Sequence, residues 1–479
     1  MRKTLSLTLV AATAFCFLPA LTACKKEAPK SSYHITAEYF PEERILDAEM
    51  TVCVTSSGEN AREELKFQLW PNAYREGALY QPISEFFYAA SYYNGASYGG
   101  IEITEVAGGA SYTVCGEDEN ILAVTLQEPL YPDETAELTM KFRVTLPEVN
   151  HRLGAGERNV CLANFYPVLC AEQNGTVSEY VYASDGDPFV SSIADYTLDL
   201  TVPEGYTAAY SGTGEMATEG GKTTYHITAE NMRDVAVVMG EELKCVTSMQ
   251  GETEIAYYYL EDEKPEETLA IAEECLACFS ERFGKYEYPR YCMVETDLPF
   301  GGMEYPALTM LGILPESEKA WVVAHETAHQ WWYAMVGSNQ FENAWQDEGL
   351  AEYSALLFFE DHPEYGDASE QVRSAESAYR AFFSVTSQLG GANTEMNRPL
   401  TSYSGAYEYR SIAYDKGMIL FDKVRMVAGD KRFGQALRSY CAKYSGGLAS
   451  PEELIACFED AGANVEGLFS SFTEGLAVI

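Results

Sequence analysis

Two histidines and a glutamate stand at the spacing of a zinc site on a helix. Residues 323–330 read Val-Ala-His-Glu-Thr-Ala-His-Gln, which places His325 and His329 four positions apart. Four residues are about one turn of an α-helix, so both imidazoles project from one face and can bind one Zn²⁺. Glu326 points to the adjoining face, where it can serve as a general base. The alternative is a helix whose histidines are merely structural, and with only six histidines in the chain the full pattern favours the metal site.

A catalytic zinc usually has three protein ligands and an open position, so a third ligand must come from another element. Residues 345–353 read Trp-Gln-Asp-Glu-Gly-Leu-Ala-Glu-Tyr and supply Glu348, with eighteen residues between it and His329. This spacing leaves room for a turn and a returning helix. Glu352 lies one turn beyond Glu348, and two roles stay open for it: a hydrogen bond to a ligand histidine, or a solvated helix carboxylate.

This arrangement of ligands resembles a known peptidase family. The pattern His325-Glu326-x-x-His329, eighteen residues, then Glu348-Gly349 is similar to the gluzincin aminopeptidases of the aminopeptidase N and leukotriene hydrolase type. The resemblance implies that His325, His329 and Glu348 bind one Zn²⁺ per chain and that Glu326 is the catalytic base.

A second segment resembles the same family upstream of the zinc helix. Residues 300–306 read Phe-Gly-Gly-Met-Glu-Tyr-Pro and are similar to the family's Gly-x-Met-Glu-Asn segment. The resemblance implies that Glu304 binds the free α-amine of a peptide and that Gly302 and Met303 belong to the substrate-binding segment. Glycine allows this backbone to run close to the peptide like an added strand. Tyr305 stands where many members have Asn, so the first subsite departs from the family, and a surface salt bridge is the alternative role for Glu304.

A third resemblance concerns a tyrosine downstream. Residues 414–417 read Tyr-Asp-Lys-Gly and are similar to the family's Tyr-x-Lys-Gly helix start. The resemblance implies that the Tyr414 hydroxyl stabilises the oxyanion beside zinc. The chain has 34 tyrosines, so the assignment depends on the surrounding pattern. Tyr409, five residues earlier, is a second candidate for lining the pocket.

The first half of the chain shows the period of β-strands. Apolar and polar residues alternate in 65–69, 138–146 and 196–202, which predicts half-buried strands. We therefore predict a β-rich domain over residues 33–245. The Tyr- and Gly-rich stretch 88–100 is predicted to be a loop, either on the surface or lining a pocket.

The second half shows helical periodicity, which predicts a catalytic domain over residues 246–479. A helix is predicted from Pro265 to Gly284, because proline suits a first helical position and an apolar face follows it. Further helices are predicted around His325, Glu348 and Lys416 and beyond Pro451, with one short strand at 291–295.

The family resemblance adds an architecture to these patterns. It implies a multi-domain α and β fold, in which a saddle-like β-sandwich is followed by a thermolysin-like, mostly α-helical catalytic domain with the site between them. Residues 70–74 and 231–234 resemble strand ends of the family's N-terminal domain, so the resemblance covers nearly all of the mature chain. The chain ends too early for the long helical C-terminal domain of many members, which implies a more open cleft or a different closure.

The N-terminus carries an export signal. Arg2 and Lys3 precede an apolar run to about Leu18, and this pattern predicts a signal peptide over residues 1–23. The apolar run is shorter than a typical membrane-spanning helix. Leu-Thr-Ala before Cys24 resembles the lipobox of bacterial lipoproteins. The resemblance implies lipidation of Cys24, a tether over residues 24–32 and attachment to the membrane outside the cytoplasm. An ordinary signal peptide with an incidental cysteine is the alternative.

The remaining cysteines allow disulfides without requiring them. Cys161 and Cys170 are the closest plausible pair outside a helix. Cys275 and Cys278 form a Cys-x-x-Cys pattern inside a helical stretch, where small buried hydrophobic residues are the favoured role.

Charge excludes one class of partner. Acidic residues outnumber basic ones 73 to 32, and the net charge is −41. Phosphate would be repelled, which argues against nucleic acid as a partner. The acidity otherwise fits a soluble protein facing the outside medium.

The sequence thus predicts a zinc metallopeptidase that releases N-terminal residues from peptides with a free amine. One alternative is an endopeptidase with the same zinc chemistry, which would tolerate a blocked N-terminus. The other is a surface lipoprotein that binds peptides at an inert site.

Overall fold

The computed structural model of the chain describes residues 30–56, 60–173, 175–477 and 479. The predicted signal peptide, Cys24 and most of the tether lie outside these residues, so the lipid anchor stays a prediction. No helix within the described ranges combines the length and the apolar character needed to cross a membrane.

The first half is built from β-strands, as the two-residue periodicity predicts. It also contains a 3-10 turn at Trp70–Tyr74 and one short helix, α1 (Tyr88–Ser91), within the stretch predicted as a loop. Its strands are β1 (Ser31–Phe40), β2 (Ile45–Thr55), β3 (Arg62–Gln68), β4 (Gly100–Ala107), β5 (Gly109–Cys115), β6 (Ile121–Leu130), β7 (Thr135–Thr145), β8 (Leu153–Ala155), β9 (Val160–Leu162), β10 (Val168–Leu169), β11 (Glu172–Gln173), β12 (Thr176–Val177), β13 (Ala194–Pro203), β14 (Thr207–Tyr210), β15 (Thr213–Glu219), β16 (Lys222–Met232) and β17 (Val237–Gly240).

These strands form one large sheet and three smaller ones. The seven-stranded sheet has the order β15-β16-β13-β1-β2-β7-β4, and four-stranded sheets have the orders β10-β3-β6-β5 and β14-β17-β9-β8, beside the β11-β12 pair. Buried and half-exposed residues alternate strictly along β13. In register with it, Ile35 of β1 lies opposite Leu198, and both side chains are fully buried. One face of the large sheet therefore packs against the hydrophobic core, and the other face is partly exposed.

The second half combines one sheet with nine helices in its described part. Its strands are β18 (Lys244–Gln250), β19 (Thr253–Tyr259), β20 (Arg290–Glu295), β21 (Gly302–Tyr305) and β22 (Leu308–Leu311), in the order β18-β19-β20-β22-β21. Its helices are α2 (Pro265–Phe283), α3 (Glu316–Ala328), α4 (Trp345–Asp361), α5 (Ala368–Leu389), α6 (Ala406–Tyr409), α7 (Lys416–Ala428), α8 (Asp430–Tyr444), α9 (Pro451–Asp460) and α10 (Glu466–Thr473). A 3-10 turn at Leu400–Ser402 and a π-helical turn at Arg410–Asp415 complete the half.

The predicted helix at 265–284 and the predicted strand at 291–295 are confirmed as α2 and β20. The other four strands of this sheet were not predicted from the sequence. Those strands are only four to seven residues long, and β22 is buried along its whole length. A short strand buried on both faces shows no alternation, so its pattern resembles that of a buried helix. The predicted domain boundary at 245 falls inside β18.

Seven of the ten cysteines that the structure describes are buried, whereas Cys53 and Cys115 are half-buried and Cys245 is exposed. Cys275 and Cys278 are buried on α2 among its apolar residues. All ten described cysteines are free thiols, so Cys161 and Cys170 are not joined in this structure.

Arg233, just after β16, joins the two halves. Its guanidinium is fully buried and donates hydrogen bonds to backbone oxygens on both sides. Nη1 donates to Ser191 O at 2.9 Å in the first half, and Nε donates to Tyr333 O at 2.8 Å in the second. Nη2 also donates to Met335 O and Gly447 O. One planar cation thereby satisfies four carbonyl groups at the junction.

Candidate metal and active site

The three predicted ligands converge on one point between α3 and α4. His325 lies in the last turn of α3, His329 follows the end of that helix, and Glu348 lies in the first turn of α4. The two Nε2 atoms are 3.1 Å apart, and Glu348 Oε2 lies 3.3 Å from His325 Nε2 and 3.4 Å from His329 Nε2. All three side chains are buried.

The outer nitrogens of both rings are held by acceptors. His329 Nδ1 donates to Trp332 O at 3.0 Å. His325 Nδ1 lies 3.3 Å from Glu352 Oε2, which also accepts a hydrogen bond from Trp321 Nε1 at 2.8 Å. Because a carbonyl and a carboxylate can only accept, each ring donates from Nδ1, which leaves Nε2 facing inward as the atom that would bind a metal. Of the two roles left open for Glu352, the geometry matches the hydrogen bond to a ligand histidine.

These donors fit a tetrahedral metal ion. Glu348 Oε2 is buried and has no hydrogen-bond partner among the described residues, although both imidazoles are close to it. A Zn²⁺ ion with bonds of about 2.0–2.1 Å separates its nitrogen ligands by about 3.3–3.4 Å, close to the observed spacing. Two imidazoles and one carboxylate are also a ligand set that zinc prefers, and they leave the fourth position open.

Glu326 lies beside the ligands and against the edge strand β21. A Cβ atom at Gly302 would stand 2.5 Å from Glu326 Oε1, so any side chain at this position would displace the Glu326 carboxylate. Burial raises the pKa of Glu326 to about 7, although the two imidazoles partly oppose the shift. Its Oε2 has no hydrogen-bond partner within the described part of the chain. Glu326 is therefore a buried carboxylate with a free oxygen beside the metal position, as a general base requires.

Strand alternation sorts the residues of β21 by face. Glu304 shares a face with Gly302 and lies near the metal ligands, and burial raises its pKa well above the usual range. Met303 and Tyr305 point to the other face, where both side chains join an apolar cluster with Leu308. Met303 was predicted to belong to the substrate-binding segment, and only its backbone could serve there, because its side chain lies in the core.

Two glycines bring α7 close to α4. A Cβ at Gly417 would lie 2.8 Å from the Gly349 Cα, and a Cβ at Gly349 would lie 3.0 Å from the Gly417 Cα. The helices can therefore cross only because both residues lack side chains. This crossing places the residues just before α7 beside Glu348.

The π-helical turn Arg410–Asp415 explains why both candidate tyrosines reach the same atom. Tyr414 donates its hydroxyl to Glu348 Oε1 at 2.5 Å, and Tyr409 donates to the same oxygen at 3.2 Å. Side chains five positions apart on an α-helix point about 140° apart, whereas the wider π-turn reduces this angle and brings the two tyrosines closer in direction. Tyr414 also stacks on the His325 ring, with centroids 5.6 Å apart.

Some residues near the site were missed by the sequence analysis. Asp347, next to Glu348, is buried and directs one oxygen to within 4.8 Å of Glu304 and His329 donor atoms. From the first half come Arg152 and Asp187, which form a buried ion pair close to Tyr305. Asp347 could have been suspected because it adjoins a ligand, but no local pattern marks Arg152 or Asp187, which lie far from the motifs in sequence.

A comparison with protein families agrees with this geometry. The sequence model described as "Peptidase family M1 domain" matches residues 267–472, which contain every site residue named above except Arg152 and Asp187. This chain carries a peptidase family M1 domain. The M1 match confirms the family that the zinc motif suggested.

Curated relatives match the M1 domain at low identity. Aminopeptidase M1-B of Oryza sativa subsp. japonica is 27% identical over 222 residues, which are 43% of this chain and 25% of that protein. Leukotriene A-4 hydrolase of Xenopus laevis is 26% identical over 203 residues, which are 40% of this chain and 33% of that protein. The match therefore spans only a quarter to a third of the length of these relatives.

Solved structures extend the likeness to the whole fold. An M1 zinc metallopeptidase from Deinococcus radiodurans aligns over 94% of both chains with a TM-score of 0.64 and 20% identity. A mutant of that protein, bound to a Tyr-Ser-Ala substrate, aligns equally well, with a TM-score of 0.64. Beyond the M1 domain itself, this likeness confirms the predicted fold: a β-rich first half followed by a mostly helical catalytic half.

Proposed function

We propose that this chain is a zinc aminopeptidase that removes N-terminal residues from peptides with a free α-amine. The observation that carries the proposal is the convergence of His325, His329 and Glu348 beside Glu326, with Glu304 on the adjacent edge strand. Metal ligands, a base and an amine anchor are the parts that such a reaction needs.

The three ligands would hold one Zn²⁺ per chain. Bound there, zinc would supply Lewis-acid polarisation of the scissile carbonyl and lower the pKa of water. Glu326 takes the proton of the attacking water and passes it to the leaving amine, which its place beside both Gly302 and the ligands allows. Glu304 pairs with the substrate ammonium and fixes the cut one residue from the N-terminus.

Tyr414 is the proposed oxyanion donor. Its hydroxyl donates a hydrogen bond to Glu348, and its ring stacks on the ring of His325. Tyr414 therefore borders the metal position directly. Tyr409 donates a longer hydrogen bond to the same carboxylate oxygen. We propose that it orients Glu348. To stabilise the oxyanion, the Tyr414 hydroxyl would turn its hydrogen bond from Glu348 to the substrate oxygen on which negative charge develops.

Zinc content and turnover together test this proposal. The purified protein should contain about one zinc per chain by elemental analysis and should cleave aminoacyl-anilides until a chelator is added. Glu348→Gln should lose both zinc and activity, whereas Glu352→Gln should weaken zinc retention about 10- to 100-fold. Full zinc occupancy with no cleavage of any peptide would instead support the inert peptide-binding alternative.

We also propose that the protein is exported and lipid-anchored through Cys24. The basic start, the apolar run and the small residues before Cys24 support this. Expressed in bacteria with radiolabelled palmitate, the chain should take up label and partition with membranes, and Cys24→Ser should remove the label. Export without labelling would show an ordinary signal peptide.

A further inference from the structure

An exposed aromatic group adjoins the substrate-binding strand. Phe86 is 79% exposed, its ring centroid lies 4.9 Å from that of Phe87, and Phe87 lies 5.4 Å from Phe300. Phe300 immediately precedes Gly301 and the edge strand β21. These three phenylalanines, here called the aromatic rim, join a segment of the first half to the residue that precedes Gly301 and β21.

The segment that carries Phe86 is held in place by the fold. Ile83 and Ser91, on either side of the two phenylalanines, are buried. Ser91 O accepts a hydrogen bond from Asn150 N at 2.9 Å, and the Tyr93 hydroxyl donates to Ala155 O at 3.3 Å. The exposure of Phe86 therefore belongs to an ordered segment that presents an aromatic ring to solvent.

The composition of this segment suits an apolar ligand. Residues 78–99 contain a single charged side chain, Glu85, in a chain of which 22% is charged. Leu79 and Tyr98 of the same segment are also exposed. Exposed apolar groups on one ordered segment that contacts the residue before an edge strand are typical of a binding surface.

The order of residues on β21 gives the cleft a direction. Within the described residues β21 pairs only with β22, so its other edge is free to add a peptide strand. Glu304 is the proposed anchor for the substrate amine, and Glu326 lies against Gly302. Passing from Glu304 through Gly302 to Phe300 therefore follows a peptide from its amine, through the scissile bond, to the residues after the cut.

We propose that the aromatic rim binds a large apolar side chain on the carboxyl side of the cleaved bond. The preferred substrates are then peptides of three or more residues with an aromatic or aliphatic second or third residue. This inference rests on the proposed aminopeptidase function and names its substrate class. Aromatic contact and removal of apolar surface from water supply the preference.

Three peptide amides test the rim in the full chain: Ala-Phe-Gly, Ala-Gly-Phe and the reference Ala-Gly-Gly. The better phenylalanine peptide should show a kcat/KM about ten-fold above the reference, mainly through KM. Phe86→Ser should bring this ratio close to one. The control Phe383→Ser, which alters an exposed phenylalanine on α5, should leave the ratio unchanged.

Further measurements distinguish a failure of the rim proposal from a failure of the proposed aminopeptidase function. The same peptides are titrated against Glu326→Gln protein with and without Phe86→Ser, so that the binding ratio reports on the rim even if turnover is absent. Cleavage of Ala-Gly-Gly with no preference for phenylalanine in either assay would overturn the rim proposal alone. An unchanged ratio together with a shift from dimer to monomer in Phe86→Ser would make the rim a self-association surface and would also overturn it.

Discussion

At the scale of single residues, Glu326 is the group on which the proposed chemistry depends most. Glu326→Gln keeps the volume and the neighbours but cannot accept a proton. We expect kcat to fall about 10²- to 10⁴-fold while zinc content is unchanged. Single-turnover kinetics with elemental analysis would measure both, and a variant retaining more than a tenth of the activity would rule out Glu326 as the base.

Tyr414 and Tyr409 form a matched pair, since both hydroxyls donate to Glu348 Oε1. Tyr414→Phe should lower kcat about 10²- to 10³-fold with little change in KM, because a transition-state donor is lost. Tyr409→Phe should have a much smaller effect, because its hydroxyl only orients Glu348. Steady-state kinetics of both variants would compare the two losses in kcat. A larger loss in Tyr409→Phe would make Tyr409 the oxyanion donor and Tyr414 the residue that orients Glu348.

Sequence motifs could identify the three candidate metal ligands, because each ligand lies within one helical turn of a recognisable pattern, and the structure brings all three together. The direction of a side chain was harder to predict. Met303 was assigned to substrate binding by its segment, yet strand alternation turns it into the core. The ion pair of Arg152 with Asp187 reaches the site only through the tertiary fold, and no local signal marks it.

At the scale of elements, the crossing of α4 and α7 positions Tyr414 against Glu348. Gly417→Ala would put a methyl group 2.8 Å from the Gly349 Cα and force the helices apart. We expect a loss of about 1–3 kcal/mol in unfolding free energy and a larger fall in kcat than in zinc content. The control Gly434→Ala on α8, whose Cβ would meet only the flexible Arg438, should be neutral or stabilising. Equal behaviour of the two variants in urea unfolding would refute the close crossing.

Long periodic elements were predictable, and short or irregular ones were not. Alternation identified β3, β7 and β13, and an apolar face after Pro265 identified α2. The π-helical turn at Arg410–Asp415 has no sequence signature of its own, so its extra residue could not be predicted from the pattern. Sequence analysis therefore found Tyr409 and Tyr414 but not the turn that aligns them.

At the scale of the whole molecule, Arg233 should stabilise the junction between the halves. Arg233→Met would leave the carbonyl oxygens of Ser191 and Tyr333 without the donor they have here. Met335 O and Gly447 O would each lose one of two donors, because they also accept from backbone N–H groups. We expect a loss of at least about 3 kcal/mol. The control Arg143→Met breaks an exposed pair with Asp47 and should cost less than about 1 kcal/mol. Calorimetric unfolding of both variants would compare them, and equal midpoints would contradict the role of Arg233.

The two-part architecture followed from the change of periodicity along the chain, but the contact between the parts did not. Gly186 of the first half lies so close to the second that a Cβ there would stand 2.9 Å from the Tyr409 ring. Such packing depends on three-dimensional shape, which neither composition nor period encodes.

The most direct test of the central proposal compares aminoacyl-anilides that carry a free or an acetylated amine. The wild-type protein should cleave only the free-amine substrates, should stop when a chelator is added and should recover with zinc. Glu304→Gln should raise KM for these substrates, because the ammonium loses its carboxylate partner. Cleavage of acetylated substrates at a comparable rate would contradict the account, since the proposed role of Glu304 would fail and the site would be that of an endopeptidase.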